Sequence, residues 1–301
     1  MKTKKVSVVL CTYNGAGFLK EQFESLMNQS YPIDEIIIVD DNSTDETFSL
    51  IQVLAKDRSN VKIFRNESNL GYNKNFEKGL KLATGDIIAI CDQDDIWYAD
   101  KLKIQIESWS EPTLLTYCDT IPFINEIPTN PEKKKISRRL KGENPKQLSV
   151  FNTISGHTIL IKKELLQFAL PFNSEVYYDW WLAIIAMCNG GISHIQQILV
   201  YQREHINNAT IKKDLSKKEL LLKDKILLTK QLKYFKSLPN ISRENNYFFE
   251  KFNSLWYQRK LGFNWSLFFF ILGNSKDIFA YKVRKFPYFS YLKHSIRFAT
   301  N

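Results

Sequence analysis

The residues with the clearest chemical potential are Asp92-Gln93-Asp94-Asp95, which follow the apolar run Ile87–Cys91. Carboxylates one residue apart at a strand end converge on one cation. Hard divalent ions such as Mg²⁺ or Mn²⁺ take such oxygen ligands and bridge phosphates. A solvated acidic turn reads the same way in isolation, but two further polar clusters strengthen the cation reading. Asp40-Asp41-Asn42-Ser43 follows Glu35–Val39, and Thr12-Tyr13-Asn14-Gly15 follows Val6–Cys11. An Asp at a strand end accepts hydrogen bonds from a ribose hydroxyl or a base imide. Asn14-Gly15 suits a tight turn, and Thr12 and Tyr13 suit the wall of a nucleotide pocket.

These clusters need elements that bring them together, and the first 118 residues supply an alternation of strand and helix signals. Strands are expected at Val6–Cys11, Glu35–Val39, Val61–Phe64 and Asp86–Cys91. Helices are expected at Phe18–Asn28, from Ser43 (an N-cap with Glu46 completing a capping box) and at Tyr72–Ala83, stopped by Gly85. Apolar strands separated by helices imply a parallel sheet covered on both faces, with ligands beyond the carboxyl ends of its strands. All three polar clusters, and Asn66–Asn69 after the third strand, fall at those ends.

Residues 119–147 hold Pro122, Pro128, Pro131 and Pro145 and the run Lys133–Lys135, the composition of a long irregular loop. Order resumes at Ser155–Ile161, in which His157 reads as a structural residue. A short helix ending at Pro171, an apolar helix at Tyr178–Met187 and a last strand at Gln197–Tyr201 follow. After Thr210 the pattern is helical, with Leu221, Leu228, Leu232 and Phe235 at helical spacing among lysines at 217, 218, 223, 225, 230, 233 and 236.

Together, VSVVLCTYNG, EIIIVDDNSTDET, NLGYNKNFEKGLKLATGD and AICDQDDIWYADKL resemble the family 2 glycosyltransferases, inverting enzymes of the GT-A fold. The resemblance spans residues 5–105 and implies an α/β catalytic domain at 1–210. Its first half (1–118) would hold a nucleoside diphosphate sugar and its second (119–210) an acceptor. It assigns Thr12, Tyr13, Asn14, Asp41, Asn69, Lys74, Asp92 and Gln93 to the donor, and Asp94 with Asp92 to a Mg²⁺ or Mn²⁺ ion, Asp94 the more directly. The segment Phe172–Trp181 is similar to one where relatives carry His-Asp-Trp-Trp. Asp179 matches the catalytic base, and Tyr178 stands in place of the His. Such a base should be ionised near neutral pH. An N-cap is the alternative use of Asp179 and does not exclude this role.

Arg203-Glu204-His205 followed by Ile206–Thr210 also resembles a family element. It would set Arg203 or His205 against the donor diphosphate or its metal; the alternative is a surface loop. Arg203 is grouped with the donor site and His205 with the metal set. The 170–210 region is most similar to the rhamnosyltransferase branch. A dTDP-rhamnose donor is therefore expected first, with UDP-glucose, UDP-galactose or a UDP-N-acetylhexosamine as alternatives. A non-catalytic sugar-nucleotide or membrane-binding module is a different class of reading.

With 44% hydrophobic and 25% charged residues the chain is ordinary globular material, but its net charge of +10 is not evenly spread. Residues 211–301 hold 19 Lys and Arg against 6 Asp and Glu, and 20 of the 41 aromatic residues. The basic region is thus a helical extension rather than part of the catalytic half, which is slightly acidic. It is expected to pack on the catalytic domain with one basic face towards an anionic membrane, a surface that Lys282–Lys285 and Lys293 among Phe286, Tyr288, Phe289 and Tyr291 suit; an acceptor site or a second subunit in a homodimer are the alternative uses. Nucleic acid is disfavoured because no binding motif is present. Cys11, Cys91, Cys118 and Cys188 occur singly, as buried thiols of a reducing compartment. No apolar run approaches the ~20 residues of a spanning helix, which disfavours a processive synthase. The expected location is cytoplasmic, peripheral at the inner face of the membrane, with a polysaccharide or lipid-linked oligosaccharide as acceptor.

Overall fold

The computed structural model describes residues 4–128, 139–205, 216–259 and 262–300; within 217–224 the side chains at 217, 218, 220–222 and 224 are also outside the described set. Lys133–Lys135, Ile206–Thr210 and the side chains of Lys217, Lys218 and Leu221 therefore lie outside the described residues.

The N-terminal half alternates as its apolar runs require: β1 (Val6–Thr12), α1 (Ala16–Met27), β2 (Glu35–Asp40), α2 (Thr47–Ala55), β3 (Val61–Arg65), α3 (Tyr72–Leu82) and β4 (Ile87–Asp92). Strands β1 and β2 are buried along their whole length, as strands covered on both faces must be. Then come β5 (Ile96–Trp97), α4 (Lys101–Glu107), β6 (Leu115–Phe123), β7 (Ile159–Lys162), α5 (Leu166–Ala169), α6 (Tyr178–Asn189) and β8 (Ile192–Arg203). The sheet order is β3-β2-β1-β4-β7-β6-β8-β5. The first four strands are parallel, but β7 runs antiparallel to both β4 and β6, and β5 antiparallel to β8. The sheet is therefore mixed beyond β4, and the parallel reading holds for its first half.

Three local expectations change. Residues 119–123 continue β6 instead of opening the irregular loop, because they pair with β8 across a register shift at Asp119. The capping box at Ser43 does not form. Helix α2 begins at Thr47, and the Ser43 hydroxyl donates to Asp40 Oδ1 at 2.5 Å. Gly85 does not cap α3, which ends at Leu82. A Cβ there would lie 2.8 Å from Ser7 N and 2.9 Å from Lys5 O, so Gly85 is needed for close backbone approach to β1.

The C-terminal region forms α7 (Lys217–Phe235), α8 (Arg243–Tyr257), α9 (Trp265–Gly273), the short α10 (Ser275–Ile278) and α11 (Pro287–Ala299). It has no separate core. One buried apolar cluster runs from Val9 and Val39 through Trp180 and Ile184 to Leu232, Phe249, Trp256 and Phe279. Trp180 meets Phe235 with ring centroids 6.2 Å apart. Polar ties reinforce the seam: Asn144 Nδ2 donates to Asp277 at 3.0 Å, and Lys146 bonds Glu244 at 2.5 Å. No described helix is long and apolar enough to cross a membrane. The four cysteines are free, with Cys11, Cys91 and Cys118 buried and Cys188 partly so.

Candidate active site

The loops after β1, β2 and β4 meet beyond the carboxyl ends of those strands. Thr12 Oγ1 donates to Asp40 Oδ1 at 3.0 Å. Gln93 closes a two-point clasp on the β1 loop: its Oε1 accepts Tyr13 N at 2.8 Å and its Nε2 donates to Tyr13 O at 3.0 Å. The clasp depends on Gly15, where a Cβ would fall 2.1 Å from Gln93 Oε1. Asn14, at φ 48°, accepts Thr44 N at 2.8 Å. Tyr13 projects from this frame, 45% exposed.

Asp40 and Asp41 are both buried and both engaged. Asp40 also accepts Ser43 N at 2.9 Å and faces Arg65 at 3.4 Å. Asp41 accepts Asn66 Nδ2 at 2.7 Å, Leu70 N at 2.8 Å and Gly71 N at 2.8 Å. Three of its acceptor positions thus build the loop before α3, and the remaining lone pair is what it can offer a ligand. Asn69 belongs to the same loop and accepts Gly71 N at 3.0 Å. Lys74 is half exposed and paired with Glu77 at 3.1 Å.

At the end of β4 the acidic run splits into two groups. Asp94 Oδ2 meets His205 Nε2 at 2.8 Å, with His205 stacked on Phe18 at 4.2 Å. Asp95 turns inward, where Oδ1 accepts Arg203 N at 3.1 Å and Oδ2 lies 3.3 Å from His157 Nδ1. The same nitrogen is 3.5 Å from Asp92, which is itself 35% exposed. Asp92, Asp95 and His157 offer ligand atoms within 4.8 Å of one another. Burial pushes the Asp95 carboxyl up to about 7. His157 is pulled down by its burial, but the charges of Asp95 and Asp92 outweigh this and raise it.

Lys101 lies beneath this group, fully buried, with Nζ donating to His157 O at 3.1 Å and 3.3 Å from the Trp97 ring centre. Burial lowers it to about 8, against the pull of Cys118, Cys91, Asp95 and Asp92. Arg203 is a buried brace. Its Nε donates to Asp94 O at 3.1 Å, and its guanidinium also bonds Glu21 and lies over Phe123. These contacts engage the guanidinium that the sequence assigns to the donor.

The opposite wall is the start of α6. Asn73 on α3 fixes it twice, donating to Val176 O at 2.9 Å and accepting Tyr178 N at 2.9 Å. Tyr178 packs on Phe76 at 4.3 Å, and its hydroxyl occupies the space a Cβ at Gly156 would need. Asp179 follows, half-buried, its Oδ1 accepting Trp180 N at 2.6 Å. Burial raises its carboxyl to about 7, with Asp92 adding to the shift and Trp180 N–H and His157 opposing it. That shift runs against the sequence expectation of a base ionised near neutral pH.

The sequence reading placed Asp95 in the acidic run without a role of its own, took His157 as structural, and gave Lys101 and Asn73 no role. His157 was legible only through β7, whose antiparallel register on β4 (Ala89 opposite Leu160) carries it towards Asp92. Lys101 and Asn73 fall inside two of the quoted motifs, but their contacts follow from packing between distant segments.

Residues 7–168 match the family described as Glycosyl transferase family 2. The chain belongs to that family. Among its relatives is "UDP-Glc:alpha-D-GlcNAc-diphosphoundecaprenol beta-1,3-glucosyltransferase WfgD" of Escherichia coli, 28% identical over 186 residues, 60% of this chain and 69% of the relative. Another is "GalNAc(5)-diNAcBac-PP-undecaprenol beta-1,3-glucosyltransferase" of Campylobacter jejuni, 39% identical over 108 residues, 36% of this chain and 35% of the relative. Among solved structures, S. aureus TarS 1-349 in complex with UDP-GlcNAc aligns with a TM-score of 0.59 at 19% identity, covering 98% of this chain and 81% of that one. The mannosyltransferase PcManGT from Pyrobaculum calidifontis, in complex with GDP-Man and Mn²⁺, aligns at 0.56 with 20% identity, covering 77% and 64%. These likenesses establish the GT-A fold. In this glycosyltransferase the residues at the end of β4 fit a hard divalent cation. They are carboxylate-rich, and Asp95 Oδ2 and His157 Nε2 are buried without a hydrogen-bond partner among the described residues.

Proposed function

We propose that the enzyme transfers one sugar from a nucleoside diphosphate sugar to a hydroxyl of a lipid-linked oligosaccharide or surface polysaccharide, with inversion. The observation that carries this is the convergence of three strand-end loops and the start of α6 on one crevice, with Asp92 and Asp94 on one side and Asp179 on the other. Residues 1–210 form the catalytic unit and 211–301 a helical extension that meets an anionic membrane surface. Thr12, Tyr13, Asn14, Asn69, Lys74 and Gln93 frame the nucleotide, and Asp41, which orders the loop before α3, offers it the remaining lone pair. UDP-glucose is the leading donor, supported by the names of the two glucosyltransferase relatives; dTDP-rhamnose is the competing one.

Asp92 and Asp94, with His205 on Asp94, would hold Mg²⁺ or Mn²⁺. A cation bound there neutralises charge on the departing diphosphate. Asp95 and His157, whose Oδ2 and Nε2 have no hydrogen-bond partner among the described residues, are the alternative ligands beside Asp92. Asp179 Oδ1 is fixed by Trp180 N–H, and its other oxygen takes the proton of the acceptor hydroxyl. The acceptor oxygen then bonds the anomeric carbon as the bond to the diphosphate oxygen breaks, and the nucleoside diphosphate leaves. With one base and no enzyme nucleophile, a single displacement inverts the centre.

The test is nucleotide release from UDP-glucose, UDP-galactose, UDP-N-acetylhexosamine and dTDP-rhamnose with Mn²⁺ or Mg²⁺, followed by transfer to an undecaprenyl-diphosphate sugar. Release from one donor and an inverted product are expected. No turnover of any donor with either metal sinks the proposal.

A further inference from the structure

Helix α11 buries one side only. Ser295 and Ala299 are enclosed, Tyr291 and Phe298 pack on Phe279, and Phe298 also meets Trp256. The other side carries two adjoining rows at four-residue spacing. Tyr288, Leu292 and Ile296 form one, and Phe289, Lys293 and Arg297 the next. The rings of Tyr288 and Phe289 are largely in solvent, 73% and 76% exposed. Val283 and Phe286, just before the helix, are exposed as well. At its other end Phe263 bridges Thr300, and its ring meets exposed Trp265 at 4.8 Å. Isolated apolar residues on a surface are ordinary, but a continuous run of this kind marks an interaction site.

The charge of this face has one sign. Residues 278–301 contain five Lys and Arg and no Asp or Glu. Asp277, the last acidic residue, accepts from Asn144. Among the described residues no carboxylate pairs with Lys282, Arg284, Lys285, Lys293 or Arg297. Lys282 Nζ lies 2.6 Å from His294 Nε2; burial, with Arg284 and Arg297 adding to it, holds Lys282 down to about 8, and burial, with Lys282 and Arg297 adding to it, holds His294 down to about 4. Helix α7 differs. Leu228, Leu232 and Phe235 face the core, and Lys230 is paired with Glu175 at 2.6 Å.

We propose that the face of α11 made by Tyr288, Phe289, Leu292, Lys293, Ile296 and Arg297 seats the enzyme on an anionic membrane. This rests on the membrane reading of 211–301 and places the contact on the last helix rather than on basic α7. Lipid phosphates complement the cations, and the acyl boundary takes the rings. A second copy of the chain is a poorer match, since a two-fold contact would set this all-cationic face against itself.

The test is flotation of the full chain with vesicles of phosphatidylcholine alone or mixed with phosphatidylglycerol. Binding to the mixed vesicles only, weakened by salt, is expected. Phe289→Ser and Lys293→Glu, both exposed and tolerable to the fold, should each lower partitioning, the charge reversal by about fivefold or more. Lys223→Glu on α7 should not. Absence of binding to anionic vesicles overturns the membrane reading. Binding that responds to Lys223→Glu but not to the α11 variants overturns the assignment to α11. A concentration-dependent dimer abolished by Phe289→Ser, without vesicle binding, assigns the face to a second copy and also overturns it. Donor hydrolysis, measured alongside, should be unchanged in every variant, so these outcomes are independent of the transfer reaction.

Discussion

The crevice at the strand ends and the outer face of α11 are both strongly charged and differ in how the charge is held. In the crevice Asp40, Asp41 and Asp95 are buried, and each oxygen has a named partner or faces His157. On α11 the cations are exposed and no described carboxylate answers them. Buried charge must be partnered internally to be tolerated, and those same partners fix its position to within a bond length, as chemistry requires. Exposed charge of one sign costs little in water and leaves its complement to be found elsewhere. One region positions atoms; on the membrane proposal, the other positions the molecule.

The comparison breaks most directly at Asp179. Asp179→Asn should lower transfer by roughly 10²–10⁴-fold while donor binding, measured by calorimetry, stays near wild type. Because the folded carboxyl is raised to about 7, the native state binds a proton that the unfolded state releases above its ordinary range of ~4. Stability from this group is present at low pH and is lost as pH rises through about 7. The same substitution should therefore raise the melting temperature at pH 8, an activity loss paired with a stability gain. The wild-type rate should climb with pH through about 7 as the base ionises, and a flat kcat profile from pH 5.5 to 8 would count against Asp179.

The acidic run offers a finer division. Asp94→Asn should weaken Mn²⁺ activation by more than the ~10–100-fold typical of a supporting residue, and Asp95→Asn should fall within that range. The reverse ranking in metal titrations would move the cation onto Asp92, Asp95 and His157. In the helical region, Phe249→Ala should cost about 3–5 kcal/mol, and chemical denaturation should show one transition, since the apolar cluster is shared. Two separated transitions would instead make 211–301 an independent unit. Smallest of all, Lys223→Glu should leave stability within about 0.5 kcal/mol.

The shared cluster also bears on the obvious deletion. Removing 211–301 uncovers Trp180 and its neighbours, so loss of membrane binding by a truncated chain would mix docking with unfolding. The surface variants of α11 separate the two.

Much of the crevice was legible because strand-end loops are local in sequence. Thr12, Asp41, Asp92 and Asp94 each follow an apolar run that could only be a buried strand. What was not legible is what depends on pairing between distant segments. The antiparallel insertion of β7 puts His157 against Asp92 and Asp95, and the 119–123 stretch becomes strand because β8 is there to pair with it. Nothing local to Lys101 shows its burial, which Trp97 and the His157 carbonyl create. The basic tail was visible in the charge count, and Lys282–Lys285 and Lys293 among their aromatic neighbours already marked its outward stretch; packing added which side of α11 is buried.

Gly156 and Tyr178 pass so closely that the absent Cβ of one is the room for the hydroxyl of the other. Substitutions at the two positions are therefore not independent. Alanine at 156 should cost about 1–3 kcal/mol with Tyr178 present and less with a shorter side chain at 178. Residue 156 thus sets how long a side chain the start of α6 can turn towards this wall.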